Sequence, residues 1–381
     1  MATQENRMNS RLSTVCTALV TFLSFGAGLT GYATVPGTAT TGEPLKGNQA
    51  GFDAEFVRNT VATLAGMVEK DYFDPAIGAK VASTLREGLS KGRYANAPDL
   101  ESLANLLTSE MYAVAKDRHL ALFATKGLPS RPSQAPTVAR ESRKERGQHE
   151  NFGLQKVEVL PGNVGYLRLT GFYQPQEARE GIAASMAFLS HADALIIDLR
   201  DHGGGSSQTV ALFTSYFLDC PDLPLFEIAH RSQVTPDQYL TESAALPHRN
   251  GTRPTFLLTS PRTSSGGEAV AFLLQERHRA EVIGEGTWGG ANQVPPPRAV
   301  TQSFEALIPN GHTASALTGK NWEGVGVIPD IPVGADSALR VAHARAIQSL
   351  LRSVTQGSWH EQLKQELALV ERQVGTEPKR H

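Results

Sequence analysis

The chain has 381 residues, 40% hydrophobic and 19% charged, with a formal net charge of −2. That length and apolar fraction describe a globular protein with a sizeable core in roughly two to three domains, and exclude a disordered chain. The near-neutral balance gives no electrostatic reason to expect a nucleic-acid partner.

Arg7 and Arg11 flank the start of an apolar run from Val15 to about Leu29, which is followed by small residues at Gly31-Tyr32-Ala33. This order reads as a secretory signal over residues 1–33, with Met8 as an alternative start. The run is too short for a typical membrane span, so no stable membrane insertion is expected after signal cleavage; an uncleaved anchor is the alternative. Cys16 lies in the signal, which leaves Cys220 alone in the mature chain and no intramolecular disulfide. A periplasmic or secreted location is expected.

Residues 34–51 are rich in Gly, Thr and Pro and read as a linker. Over residues 52–123 the apolar spacing predicts three amphipathic helices in a small helical-bundle domain. The first starts at an Asp53 cap, with Val57, Val61, Leu64 and Val68 on one face. The second starts at Asp74-Pro75, an N-cap followed by proline at the first helical position, with Ile77, Val81, Leu85 and Leu89 on one face. The third starts near Asp99 and carries Leu103, Leu107, Met111 and Val114. This domain ends at Lys116-Asp117-Arg118-His119-Leu120. Residues 124–150 form a Pro/Ser/Arg/Lys-rich connector, in which Glu141 and Glu145 interleave with Arg140, Arg143, Lys144 and Arg146. That mixture reads as a solvated linker rather than a nucleic-acid patch.

Residues 151–335 change to an α/β texture. Val157 to Val159 and Val164 to Leu169 read as strands around a Pro161-Gly162-Asn163 turn. Glu177 to Leu189 reads as a helix. Ala194 to Asp198 reads as a buried strand, running into Gly203-Gly204-Gly205 and a helix from about Ser207 to Phe217. Thr255 to Leu258 and Glu281 to Gly284 read as further strands. Strand and helix in alternation predict a mostly parallel sheet with flanking helices, whose sites form at the carboxyl ends of the strands. Residues 336–381 are expected to be a final helix, about Ser337 to Leu351, and a polar tail.

The stretch that organises the rest is Thr263-Ser264-Ser265-Gly266-Gly267-Glu268, between the strand at 255–258 and an apolar helical pattern. A serine there faces the orphan N–H groups at a helix start, which can stabilise an oxyanion. Ser265 and Glu268 also form a capping-box pattern, a purely local role. The glycines after Asp198 lack the spacing of either phosphate-binding motif, and more simply bring backbone N–H groups close to a substrate oxygen or make a tight turn. There is no G-x-S-x-G elbow, no H-E-x-x-H and no cysteine cluster, so neither an ordinary α/β-hydrolase nor a metal site is indicated.

Taken together, these residues resemble the tail-specific (C-terminal processing) serine peptidases. The resemblance is to the branch that includes interphotoreceptor retinoid-binding protein and the tricorn protease core. Five motifs carry it in order between about Phe52 and Val333: the segment ending Asp117-Arg118-His119-Leu120, the strand pair from Leu160 to Phe172, the turn from Asp198 to Gly205, the serine motif, and Asn321-Trp322-Glu323-Gly324 through Asp330. The resemblance implies a crotonase-like/ClpP-like core. It implies Ser265 as nucleophile, His119 as general base, Glu323 orienting the base, and an oxyanion hole of backbone N–H groups from Gly266 and from Gly204 or Gly205. The lysine-dependent branch carries its lysine where this chain has Gly290, which argues against a Ser–Lys mechanism. His202 stands where the family usually has asparagine and is a second candidate base. Residues 124–153 leave no room for a PDZ-type insert.

The expectation is therefore an exported serine peptidase acting on peptides or protein tails, with no cofactor and no metal. The alternative is a non-catalytic module that binds a retinoid- or lipid-like ligand in the same cleft.

Overall fold

In the computed structural model, which describes residues 53–125, 143–242, 246–248 and 250–374, three aspartates start the helical region. The expected signal, the 34–51 linker, connector residues 126–142 and the last seven residues of the tail lie outside the described residues. Asp53 caps α1 (Ala54–Asp71), Asp74 caps α2 (Pro75–Ser90) and Asp99 caps α3 (Leu100–Ala115), each carboxylate accepting backbone N–H bonds from the first turn. The apolar faces meet in one cluster, with Val61, Leu64, Val68, Leu85, Leu103, Leu107 and Met111 fully buried. Lys116 ends α3 in the left-handed region (φ 55°) and turns the chain through His119 into β1 (Ala121–Ala124).

Residues 52–123 do not close this core alone. β1 pairs antiparallel with β10 (Phe304–Leu307), which pairs with β9 (Arg298–Thr301), and Val300, Phe304, Ala306 and Ile308 fill the helical cluster. Inside the span expected as a connector, α4 (Arg143–His149) leads into the α/β region.

There the sheet order is β12-β8-β7-β4-β3-β2. β2 (Leu154–Leu160) is antiparallel to β3 (Val164–Leu169) through a turn in which Gly162 and Asn163 both take positive φ, as a tight hairpin demands. β3, β4 (Ala194–Asp198), β7 (Thr255–Thr259), β8 (Glu281–Gly284) and β12 (Ile331–Pro332) run parallel. β4 and β7 are buried along their whole length, which is why their sequences lack polar interruption. α5 (Pro175–Phe188), α6 (Ser207–Ser215) and α7 (Gly266–Glu276) pack on one face. α8 (Ala335–Ser353) and α9 (Ser358–Val374) cover the other.

Two features depart from the sequence reading. Much of the expected polar tail is α9, which buries Leu363 and Val370 against the sheet. A second sheet, β11-β5-β6, is built from β5 (Pro224–His230), β6 (Asp237–Leu240) and β11 (Gly311–Ser315). The parallel register sets Asp198 opposite Leu258 and Thr259 opposite Gly284. The loops after β4, β7 and β8 therefore leave the same edge of the sheet. Among the described residues no helix is long and apolar enough to cross a membrane.

Candidate active site

The turn after β7 is pinned before it reaches Ser265. Thr263 Oγ1 donates to the Leu199 carbonyl at 2.7 Å, and Ser260 Oγ donates to the Arg200 carbonyl at 2.5 Å. Both bonds hold the turn against the loop that follows β4. Ser265 then takes φ 50° and ψ −116°. An ordinary N-cap has extended backbone with negative φ, and a non-glycine residue in such a sparsely populated region is strained by on the order of 1–3 kcal/mol. Helix capping alone gives no reason for that strain, whereas a strained strand-to-helix turn is what exposes a nucleophile over a sheet. The elbow geometry is thus present without the G-x-S-x-G pattern that signals it elsewhere.

The glycine turn lies directly against this serine. A Cβ built on Gly204 (φ 94°) would come within 2.6 Å of Ser265 Cβ, and one on Gly266 within 3.3 Å of the Gly205 nitrogen. Of the three N–H groups expected to hold an oxyanion, that of Gly204 donates to His202 Nδ1 at 3.1 Å. The Gly204 carbonyl accepts from the Phe172 N–H at 2.8 Å. In a trans peptide this points the Gly205 N–H the opposite way. Among the described residues the N–H groups of Gly205 and Gly266 donate to no protein acceptor. His202 itself is fully buried against Phe172, with ring centroids 4.4 Å apart. Burial pushes its pKa down to about 3, so it does not serve as the second base considered from sequence.

His119 comes from the turn after α3. Asp117 Oδ1 accepts the His119 N–H at 2.9 Å, a local turn that aspartate makes readily. Asp117 Oδ2 accepts from Tyr72 Oη at 3.0 Å and Asn292 Nδ2 at 2.9 Å. The His119 ring stands edge-on to Trp288 at 5.0 Å, with Nδ1 buried and without a hydrogen-bond partner. Burial lowers its pKa from the ordinary 6.5, and the Asp117 charge opposes that shift. Gly290 lies beneath the ring, where an added Cβ would reach within 2.7 Å of His119 Cε1.

Glu323 accepts three backbone N–H bonds, from Arg118 at 2.9 Å, Ala291 at 2.6 Å and Asn292 at 3.0 Å. Burial, then the Asp117 charge, pushes its pKa up to about 7. One ring nitrogen of His119 and one oxygen each of Asp117 and Glu323 lie within 4.8 Å of one another. No hydrogen bond joins Glu323 to the imidazole among the described residues. These groups form a donor set that a metal ion could use, and each carboxylate already accepts three hydrogen bonds from the chain.

Ser265, His119, Gly204, Gly205 and Gly266 all line one cleft of about 1030 Å³. No hydrogen bond links the serine and histidine side chains among the described residues; such contacts are commonly loose before substrate binds. Sequence reasoning gave Glu268 a cap alone. Its buried carboxylate accepts from the Ser265 N–H at 2.7 Å and also from Thr287 Oγ1 (2.5 Å), Gly289 N (2.5 Å) and Gly290 N (3.0 Å). It therefore ties the serine turn to the loop that carries Trp288 against His119. Asp117 and Asn292 were also missed as partners of the site; Asp117 was legible as the residue two before the histidine.

Comparisons with known proteins bear on the family and the fold. Residues 163–333 match peptidase family S41, and residues 54–161 match the N-terminal domain of peptidase S41 in eukaryotic IRBP. A 139-residue segment is 29% identical to carboxyl-terminal-processing peptidase 1, chloroplastic, of Arabidopsis thaliana, covering 36% of this chain and 27% of that protein. A 138-residue segment is 31% identical to a carboxyl-terminal-processing protease of Synechocystis sp., covering 35% of this chain and 30% of that protein. The matched part thus spans less than a third of either curated relative. The crystal structure of a putative peptidase from Parabacteroides merdae shares the fold, with a TM-score of 0.53 at 18% identity over 76% of this chain and 96% of that one. The chain therefore carries a peptidase family S41 domain, preceded by an N-terminal domain of the type that accompanies it in eukaryotic IRBP.

Proposed function

We propose that the protein is an exported serine peptidase that hydrolyses peptide bonds in peptides or protein tails through an acyl-enzyme on Ser265. The observation that carries this reading is the strained Ser265 backbone at the start of α7, beside two undirected N–H groups in a cleft that His119 shares. Ser265 Oγ attacks the scissile carbonyl carbon while His119 takes its proton. The carbonyl oxygen becomes an oxyanion held by the Gly205 and Gly266 N–H groups. His119 then gives the proton to the leaving amine, and a water activated by the same histidine releases the acyl group. Asp117 favours the imidazolium that forms between these steps through its charge, while Glu323 holds the backbone at Arg118, Ala291 and Asn292. The Trp288 and His119 rings leave no space for a lysine base at Gly290. The signal pattern over residues 1–33 supports a periplasmic or secreted location, which fractionation of cells producing the full chain checks.

Ser265→Ala is expected to abolish peptide hydrolysis and fluorophosphonate labelling while leaving the circular dichroism spectrum and unfolding midpoint close to those of the parent. Full hydrolysis by that variant would sink the proposal. A chain that takes no fluorophosphonate label but binds a retinoid would favour the non-catalytic alternative.

A further inference from the structure

We infer that His202 is a positioning residue that sets both oxyanion donors in register, its Nδ1 holding the glycine turn and its carbonyl holding the serine turn. The inference rests on the acyl-transfer reading of Ser265. The two donors come from separate loops, one after β4 and one after β7; Thr263 and Ser260 tie the bases of these loops together, while Gly203 to Gly205 keep the backbone freedom of glycine nearer the donors. An oxyanion hole works through preorganised donors, so the glycine turn that carries the Gly205 N–H needs its own anchor beside those two bonds.

His202 reaches both loops. Through its side chain, Nδ1 accepts the Gly204 N–H at 3.1 Å. That bond sets the peptide plane immediately before the one that carries the Gly205 N–H. Through its main chain, the His202 carbonyl accepts the Ser264 N–H at 2.9 Å, one residue before the nucleophile. Its own N–H is anchored to the Leu199 carbonyl at 3.0 Å, at the end of β4. The ring is held from two sides: Phe172 packs on it, and Gly267 lies so close that a Cβ there would come within 2.6 Å of Nδ1. An accepting Nδ1 requires the proton on Nε2. Nε2 is buried without a hydrogen-bond partner, so the side chain's polar role in the described structure is the Gly204 bond.

Two substitutions separate acceptor from ring. In His202→Asn, Oδ1 takes the place of Nδ1 and can accept the same N–H, at the loss of ring packing. In His202→Phe the ring remains and the acceptor is gone. The readouts are kcat and KM on a peptide that the parent cleaves, the rate of fluorophosphonate labelling of Ser265, and the unfolding midpoint. His202→Phe is expected to lose about 10–100-fold in kcat and labelling rate with KM within about twofold, a fraction of what deleting an oxyanion donor outright costs. His202→Asn is expected to keep kcat within a few-fold despite a lower unfolding midpoint. Parental kcat in His202→Phe, or an equal loss of kcat in both variants, overturns the inference. A third measurement does not depend on turnover: ¹⁵N resonances of the histidine rings in the intact chain should show His202 protonated at Nε2 and bare at Nδ1, and the opposite tautomer overturns the inference. If the parent takes no fluorophosphonate label, the peptidase reading falls first, and the tautomer still reports on the His202 bond.

Discussion

Under the proposed mechanism His119 is neutral when it acts as a base, so the forces on its imidazolium set the acid side of the activity profile. Burial disfavours the charged ring and Asp117 favours it, with burial the larger effect. The acid limb of kcat/KM is therefore expected below the ordinary histidine value of 6.5. In Asp117→Asn it should move lower still, because the charge that supports the imidazolium is gone; a limb that moved upward would refute this account. Glu323 contributes an opposite signature in stability. Its folded pKa of about 7 lies above the ordinary 4.5, so the unfolded chain releases the proton first as pH rises. The stabilisation is complete below about pH 4.5 and is lost as pH rises through about 7. In Glu323→Gln, the decline of the unfolding midpoint across that window should flatten relative to the parent, measured by thermal melts at successive pH values. At this scale the motifs pointed to Ser265 and His119, which the fold brings to one cleft. The left-handed backbone of Ser265 was not legible, because φ and ψ are properties of the turn and no single residue type encodes them.

Among elements, the central strands were readable because continuous apolar runs such as Ala194–Asp198 have few homes other than a sheet covered on both faces. The three N-terminal helices were readable because an aspartate cap and a repeating apolar stripe occur together. The small β11-β5-β6 sheet was not, since β5 and β6 mix charged with apolar residues and β11 pairs with β5 across a long gap in the chain. α9 was hidden by its polar surface; Leu363, Leu367 and Val370 are few among charged neighbours, yet they define the buried face. Leu363 is fully buried, so Leu363→Ala is expected to cost about 2–5 kcal/mol in denaturant unfolding. α9 lies on the sheet face opposite α7, and the same variant should label with fluorophosphonate at the parental rate under native conditions.

For the molecule as a whole, His119 and Ser265 come from regions that the chain visits far apart, and the return strands β9 and β10 tie those regions together. They complete the helical core, and further ties reinforce the junction: Arg298 to Asp71 at 2.6 Å, Arg231 Nη1 to the Glu69 carbonyl at 2.8 Å, and the Phe73 N–H to the Pro309 carbonyl at 3.0 Å. This long-range closure was invisible to a reading taken along the sequence, which treated residues 52–123 as self-contained. Phe304 is the hub, fully buried among the helices while belonging to the later segment. Phe304→Ala is expected to cost about 3–5 kcal/mol. Hydrolysis should then fail at a lower urea concentration than the loss of α/β secondary structure, because His119 leaves its place before the parallel sheet melts. Coincident loss of both would mean that the two regions unfold as one.

Gly290 bears on how such a site can change over evolutionary time. The indole of Trp288 and the imidazole of His119 together occupy the space that a side chain at 290 would need. On the proposed reading, a lineage starting from this arrangement cannot acquire a lysine at that position while the two rings remain, nor discard the histidine first without losing its proton acceptor. Either single step passes through an inactive ancestor. The two bases are thus separated by a fitness valley, and descendants of this chain would be expected to keep glycine and histidine together or to lose them together.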